Sequence, residues 1–277
     1  MRAHPLTASV PDMIWVDSSP YIRPIAELQD EYENFVVVAA DNTASRVFVV
    51  TSAVADQDSR IKGDVKNNVK KGGWSQKRYE RRRGNELMHY AKEIVDVLIE
   101  IEQREKFDRL FLVGSQETMV ELESALTAPL AAKLAGKQAV DFSSGDDQIF
   151  DAAFNMFFTA EREAESQLWE KIKGEYCRGG LAVTGPEDVL KAVAVGRVEK
   201  LAVTRDAKLA GTRCRDCENL LAGKLEKCKI CGSTEVFPVD LVNELVELLA
   251  LTSAEADFVD PIPGLSEAGE VAALLRY

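Results

Sequence analysis

Four cysteines within eighteen residues constrain this 277-residue chain more than any other feature of it. Cys214 and Cys217 bound the stretch CRDC, Cys228 and Cys231 bound CKIC, and ten residues separate the two pairs. Thiolates at i and i+3 on a tight turn point at one ion, and a second such turn completes a tetrahedron, so the spacing predicts a structural Zn²⁺ site. Gly232, directly after the second pair, suits the tight turn that such a knuckle needs. Four thiolates leave no position for water or substrate, so the site is expected to hold an insertion over 211–233 together rather than to perform chemistry. Two redox dithiols are the competing reading. Cys177, the fifth cysteine, stands apart and reads as an incidental thiol. An odd, clustered set does not resemble the distributed framework of a small secreted scaffold.

Charge supplies the second constraint. The chain carries 34 Lys and Arg against 46 Asp and Glu, a formal net charge of −12. Residues 60–83 run the other way, with ten basic residues against Asp64 and Glu80, so this segment is +8 and the remainder −20. Like charges this dense repel, which suits either a solvated face or an anion-binding surface, and RNA phosphate is an anion large enough to need one. At its centre, KKGGWSQKRYERRRG places Gly72 and Gly73 beside Trp74. A P-loop is excluded because no G-x-x-x-x-G-K-[ST] is present. The glycine pair is therefore either a flexible turn or a backbone anion cradle at a helix start.

Elsewhere the chain alternates strand-like and helix-like stretches. Residues 1–30 hold four of the nine prolines and no periodicity, and read as an extended arm or the remnant of a preceding domain. Two apolar runs, 35–40 and 47–50, flank the turn formers Asp41, Asn42 and Thr43 and predict a hairpin. The polar stretch 52–73 reads as a loop. Tyr79, Leu87, Tyr90, Ala91, Ile94, Val95, Leu98 and Ile101 recur at helical spacing, predicting a long helix from about residue 75. A strand over 109–115, a helix after it, and a strand over 138–143 complete a first α/β domain, 31–145.

A second long helix over 146–174 carries Ile149, Ala153, Phe157, Ala160, Ala164 and Leu168 along one stripe, with Asp146 and Asp147 as dipole-favoured starters. It opens a second α/β domain, 146–277. Thr184, Pro186 and Glu187 spell an N-cap, a first-turn proline and a capping box for the next helix. The strand RVEKLAVTRD, the cysteine insertion, the helix LVNELVELLALT and the strands EADFVD and VAALLRY follow. No run of about 18 apolar residues and no basic-then-apolar leader occurs, so the expectation is a soluble, cytoplasmic chain with no membrane partner. His4 and His89 are the only histidines, and neither a Ser-His-Asp set nor a nucleophile elbow can be assembled; LVGSQE lacks the second glycine.

GGWSQKRYERRR resembles the Gly-Gly-Gln loop of the archaeo-eukaryotic class-1 peptide chain release factors, in which an Arg-aromatic pair and further arginines begin a long helix. Gly72, Gly73, Ser75, Arg78, Tyr79, Arg81 and Arg83 fall into those places. The preceding hairpin, the following helix and a last domain with AVAVGRVEKLAVTRD ahead of a two-CxxC insertion extend the resemblance over residues 20 to 277. It is similar to the bacterial branch, with Gly-Gly-Trp and a terminal Leu-Leu-Arg-Tyr. The resemblance implies a ribonuclease-H-like middle domain and a ribosomal-protein-like C-terminal domain carrying the zinc-knuckle insertion. It also implies a ribosome-binding, tRNA-mimicking protein acting in termination, rescue or ribosome silencing.

Lys70, Lys71, Trp74, Lys77, Arg78, Arg81, Arg82 and Arg83 would then contact RNA, while Gly72, Gly73 and Gln76 are the candidates for peptidyl-tRNA ester hydrolysis. Trp74 stands where the family carries the water-orienting glutamine, and an indole donates one N–H and accepts nothing. Only about 30 residues precede the middle domain, so the family's N-terminal decoding domain is not expected. Two other readings compete: a peptidyl-tRNA or RNA hydrolase acting through the glycine loop, and a zinc-stabilised interaction module docking a partner such as a translational GTPase.

Overall fold

A computed structural model of the protein describes residues 20–31, 34–51, 54–62, 74–141 and 145–277. These form two compact units, residues 34–161 and residues 20–31 together with 162–277. Helix α1 (Arg23–Glu31) opens the described chain and belongs to the second unit.

In the first unit β1 (Phe35–Ala40) turns back into β2 (Ala44–Thr51), which pairs antiparallel with β3 (Val54–Lys62). Asp41 makes the first turn: its Oδ1 accepts from Thr43 N at 2.7 Å and Ala44 N at 2.8 Å, the local bonding that favours Asp in turns. Helix α2 (Trp74–Arg104) leads to β4 (Arg109–Gly114), parallel to β1. Helices α3 (Gln116–Ala125) and α4 (Ala128–Ala131) then carry the chain to β5 (Leu134–Ala139), parallel to β4. The strand order is β3-β2-β1-β4-β5, a mixed sheet in which β1, β4 and β5 run parallel and β2 and β3 pair antiparallel.

Six consecutive apolar residues make β1 a strand buried on both faces, and period 2 sorts them. Val36, Val38 and Ala40 join Val47, Val49, Leu110 and Leu112 against a stripe of α2 running from Leu87 to Ile101 and against Met119 and Leu122 of α3. Phe35, Val37 and Ala39 join Phe48, Val50, Phe111 and Val113 on the other face, against Ile149, Ala153 and Phe157 of α5 (Asp146–Cys177). Phe35 stacks on Phe157 at 4.8 Å and meets Phe111 edge-on at 5.5 Å. Gly114 ends β4 at φ 138°, where a Cβ would lie 1.9 Å from the Ala40 carbonyl oxygen, so only glycine lets β4 close on β1.

The second unit repeats the three-layer logic. After β6 (Ala182–Thr184), α6 (Pro186–Ala194) and β7 (Val198–Thr204) come three short strands, β8 (Ala210–Cys214), β9 (Leu220–Ala222) and β10 (Val236–Asp240), which form their own antiparallel sheet in the order β10-β8-β9. Helix α7 (Leu241–Ala250), β11 (Glu255–Val259), α8 (Pro263–Glu267) and β12 (Val271–Leu275) complete the main sheet, ordered β11-β7-β12-β6. Val271, Ala273 and Leu275 face α6 and α7, whereas Ala272 and Leu274 face Leu168, Trp169 and Ile172 of α5 and Leu265 of α8.

Sequence pattern and structure differ at four places. Much of the loop expected over 52–73 is strand β3: main-chain pairing with β2 forms an edge strand without requiring an apolar stripe. The strand expected over 138–143 is displaced to Leu134–Ala139, the register that pairs it with β4; residues 142–144 lie outside the described residues. Thr184 ends β6, and Gly185 at φ 82° occupies the N-cap of α6 without a side-chain cap, so the capping box does not form. The arm expected over 1–30 contains α1, and residues 1–19 lie outside the described residues.

α1 is clasped to the second unit by polar bonds around Asp240. The Asp240 Oδ1 caps α7 by accepting from Val242 N at 3.0 Å, while Oδ2 accepts from Tyr21 Oη at 2.8 Å and Arg23 Nη1 at 3.1 Å. Arg23, largely buried, also donates to the Ala207 carbonyl. Buried Asn243 accepts from the N–H groups of Ile22 and Arg23, and Asp30 accepts from Phe258 N. Asp240→Ala removes a cap and two bonds to a charged acceptor, and should lower the stability of this unit in urea by about 2–4 kcal/mol. Burial first, then Asp240, pushes the Tyr21 phenol from 10.0 up to about 12. The folded value is the higher one, so the tyrosine's contribution stands below pH 10 and fades as pH rises through about 12. Hydrogen exchange over residues 20–31 should show α1 loosening in that window, and should show no such change in Tyr21→Phe.

Candidate functional site

The two features singled out in the sequence fall in different units. Of the basic segment, Lys70, Lys71, Gly72 and Gly73 lie outside the described residues. Trp74, Gln76, Lys77, Arg78, Arg81, Arg82 and Arg83 lie in the first turns of α2, whose later turns are anchored in the core from Leu87 onward. The glycine pair thus directly precedes a 31-residue helix. Its N-terminal end carries a partial positive charge to which phosphate is complementary.

In the second unit, Cys214, Cys217, Cys228 and Cys231 converge. Their sulfurs lie within 4.8 Å of one another, with Cys214 to Cys231 and Cys217 to Cys228 each at 3.6 Å. Four ligands about 2.3 Å from one tetrahedral ion would stand about 3.8 Å apart, so the set fits a single metal ion. Cys214 ends β8, Cys217 sits on the turn into β9, and Cys228 and Cys231 sit on the connection to β10.

The two turns are built alike. Cys214 N–H donates to the Asn219 carbonyl at 3.1 Å and Cys228 N–H to the Ser233 carbonyl at 2.8 Å, an i to i+5 bond in each case. The fourth residue after each leading cysteine is left-handed, Glu218 at φ 58° and Gly232 at φ 78°. Main-chain donors also reach the sulfurs, with Ile230 N 3.4 Å from Cys228 Sγ.

Electrostatics favour the thiolate at two of the four positions. Hydrogen bonds from the Asn219 side chain and backbone lower the Cys217 thiol to about 6, and the Cys231 and Ile230 N–H groups lower Cys228. The Ser233 N–H favours the Cys231 thiolate, but the crowding sulfurs and burial outweigh it and raise that thiol to about 12.

Asn219, Ser233 and Glu218 support the centre, and cysteine spacing alone did not point to them. Neither did it point to Arg213, which pairs with the buried Glu244 of α7 and ties β8 to the main core. Among the described residues no other group of three or more His, Cys, Asp or Glu is placed to hold a metal ion. Nor is any helix among them long and apolar enough to cross a membrane.

A family model, bacterial archaeo-eukaryotic release factor family 10, matches residues 20–157. Peptide chain release factor subunit 1 of Archaeoglobus fulgidus is 25% identical over 289 residues, covering 94% of this chain and 70% of that relative. Its counterpart in Methanopyrus kandleri is 28% identical over 221 residues, covering 74% and 52%. In fold, the chain is similar to archaeal Pelota in a model of ribosome-bound Pelota and ABCE1 (TM-score 0.53, 18% identity, 87% of this chain and 61% of that one). It is likewise similar to Dom34 of S. cerevisiae, a translation termination-like factor of RNA quality control that interacts with Hbs1 (TM-score 0.53, 12% identity, 91% and 65%). The chain thus spans 52–70% of the length of these two release factors and under two thirds of these two solved structures. Loop sequence, family model and relatives converge: over residues 20–157 the chain belongs to the bacterial archaeo-eukaryotic release factor family.

Proposed function

We propose that the protein binds the ribosome in the manner of a release or rescue factor, presenting the glycine pair and the start of α2 to ribosomal RNA. The observation that carries this reading is the +8 segment over 60–83 in a chain whose remainder is −20, at the position of the family's functional loop. Lys70, Lys71, Lys77, Arg78, Arg81, Arg82 and Arg83 meet phosphate in this reading, and Trp74 stacks on a base, a contact typically contributing about 1–3 kcal/mol. The relatives named release factors, and the ribosome-bound state of the similar Pelota, support it.

The test is co-sedimentation with ribosomes across a salt series. The wild type should pellet at low salt, and Arg81→Ala, Arg82→Ala and Arg83→Ala together should weaken binding and flatten the salt slope by about 1 for each lost phosphate contact. Unchanged binding by the triple variant would sink the reading.

Whether arrival leads to hydrolysis turns on Trp74. The family's amide is absent there, and Gln76 is the nearest replacement, on the first turn of α2. Binding without ester cleavage is the expected outcome when stalled ribosomes carrying peptidyl-tRNA are mixed with the protein. Peptide release that disappears in Gln76→Ala would instead assign the chemistry to Gln76, with Gly72 and Gly73 permitting the approach.

The four cysteines are assigned to one structural zinc ion. Zinc supplies charge neutralisation and a four-way crosslink, and with four thiolates it has no open site for catalysis. Elemental analysis should find one zinc per chain, falling below half in Cys228→Ser. Chelation should raise hydrogen exchange across 210–240 while leaving 34–161 protected. Protection of 210–240 that survives complete chelation would remove zinc's structural role.

A further inference from the structure

Helix α2 carries a glycine inside it that packing does not require. Gly84 is helical and exposed, and a Cβ placed there would meet nothing within 4 Å. Alanine would fit, whereas glycine in a helix interior gives up more conformational freedom on ordering. The residue therefore weakens α2 at this point with no steric return. It also falls at a boundary. Leu87, Tyr90, Ala91 and Ile94 are buried against the first sheet, and such packing supplies most of a helix's stability. The ten residues ahead of Gly84, WSQKRYERRR, offer two large apolar side chains, Trp74 and Tyr79.

Charge weakens the same ten residues. Lys77 and Arg81 are like charges four residues apart, as are Arg78 and Arg82, and that spacing makes them neighbours on a helix surface. Glu80 is the one acid among the ten, and the first turn has none. The positive end of the helix dipole adds to the repulsion, since it favours anions and disfavours cations. Phosphate relieves both charge terms at once, neutralising the basic side chains and complementing the dipole.

We propose that residues 74–83 are a conditional helix, fully wound only against RNA phosphate, and that Gly84 is the point at which these turns part from the anchored remainder of α2. Gly84 is then a positioning residue. It sets the fraction of molecules that present the arginines in helical register, and the apparent affinity for RNA falls with that fraction. The inference rests on the ribosomal reading for its physiological RNA, whereas ordering by phosphate is tested without ribosomes.

The test is hydrogen exchange on the full chain, with a short RNA duplex as the probe. In the free protein, amides 78–84 should exchange at least tenfold faster than amides 90–101, and should slow at least tenfold when the duplex is added. Gly84→Ala should slow them in the free protein and tighten binding to the duplex and to ribosomes by about two- to fivefold. Gly174 of α5, likewise helical and with nothing within 4 Å of a Cβ, is the control, and Gly174→Ala should leave binding unchanged. Gly84→Pro breaks the helix at 84 yet lets it restart with proline in its first turn, so 90–101 should stay protected while binding weakens at least tenfold. Full protection of 78–84 in the free wild type overturns the proposal, and so does Gly84→Ala that binds no more tightly. A wild type that orders on the duplex but does not pellet with ribosomes removes the ribosomal reading and leaves conditional folding standing. One that pellets with no change in exchange does the reverse.

Discussion

A strand buried on both faces can neither slip by one residue nor accept a polar side chain, and β1 imposes that restriction on the whole first unit. Each of its six residues is within a few per cent of complete burial, and each lies opposite a partner on both sides, β2 antiparallel and β4 parallel. A one-residue slip would carry Phe35 off its stack with Phe157 and into the α2 face. Full burial of a large apolar side chain contributes about 1.5–3 kcal/mol, so the two clusters flanking β1 dominate the stability of this unit. Gly114 belongs to the same restriction, since the end of β4 closes against the Ala40 carbonyl with no room for a methyl group. α2 inherits its position from this sheet, and the start of α2 carries the arginines by which function is read.

Much of this was legible in the residues. The apolar runs of β1, β4 and β7 and the helical stripes of α2, α5 and α7 are consequences of burial, which leaves a periodic mark. β3 leaves none, because its sequence VADQDSRIK is held by main-chain pairing that any residue except proline can make. Thr184 misled for a related reason: its spelling matched a capping box, yet pairing with Ala272 kept it in β6 and moved the helix start to Gly185. α1 was hidden among prolines, and what holds it, Asn243 and Asp240, lies more than 200 residues away along the chain.

The cysteine cluster was the most legible site and the least complete. Spacing named the four sulfurs, but it could not name the Asn219 amide that lowers the Cys217 thiol, or the Arg213–Glu244 pair that fixes the module to α7. Such supports come from residues whose types are common and whose partners are set by tertiary structure. The basic segment is the reverse case. Its residues carry the family resemblance except at Trp74, which stands where the family has a glutamine.

The two cysteine turns are alike in hydrogen bonding but not in strain. Gly232 occupies its left-handed conformation freely, whereas Glu218 holds the equivalent φ at a cost of about 1–2 kcal/mol. The module is therefore lopsided: whatever energy binds the four sulfurs together must also keep the first turn wound, while the second rests near its natural shape. With nothing holding the sulfurs together, the turn between Cys214 and Asn219 gains by unwinding and the other does not. That gives dismantling of the centre a direction along the chain, beginning at the end of β8.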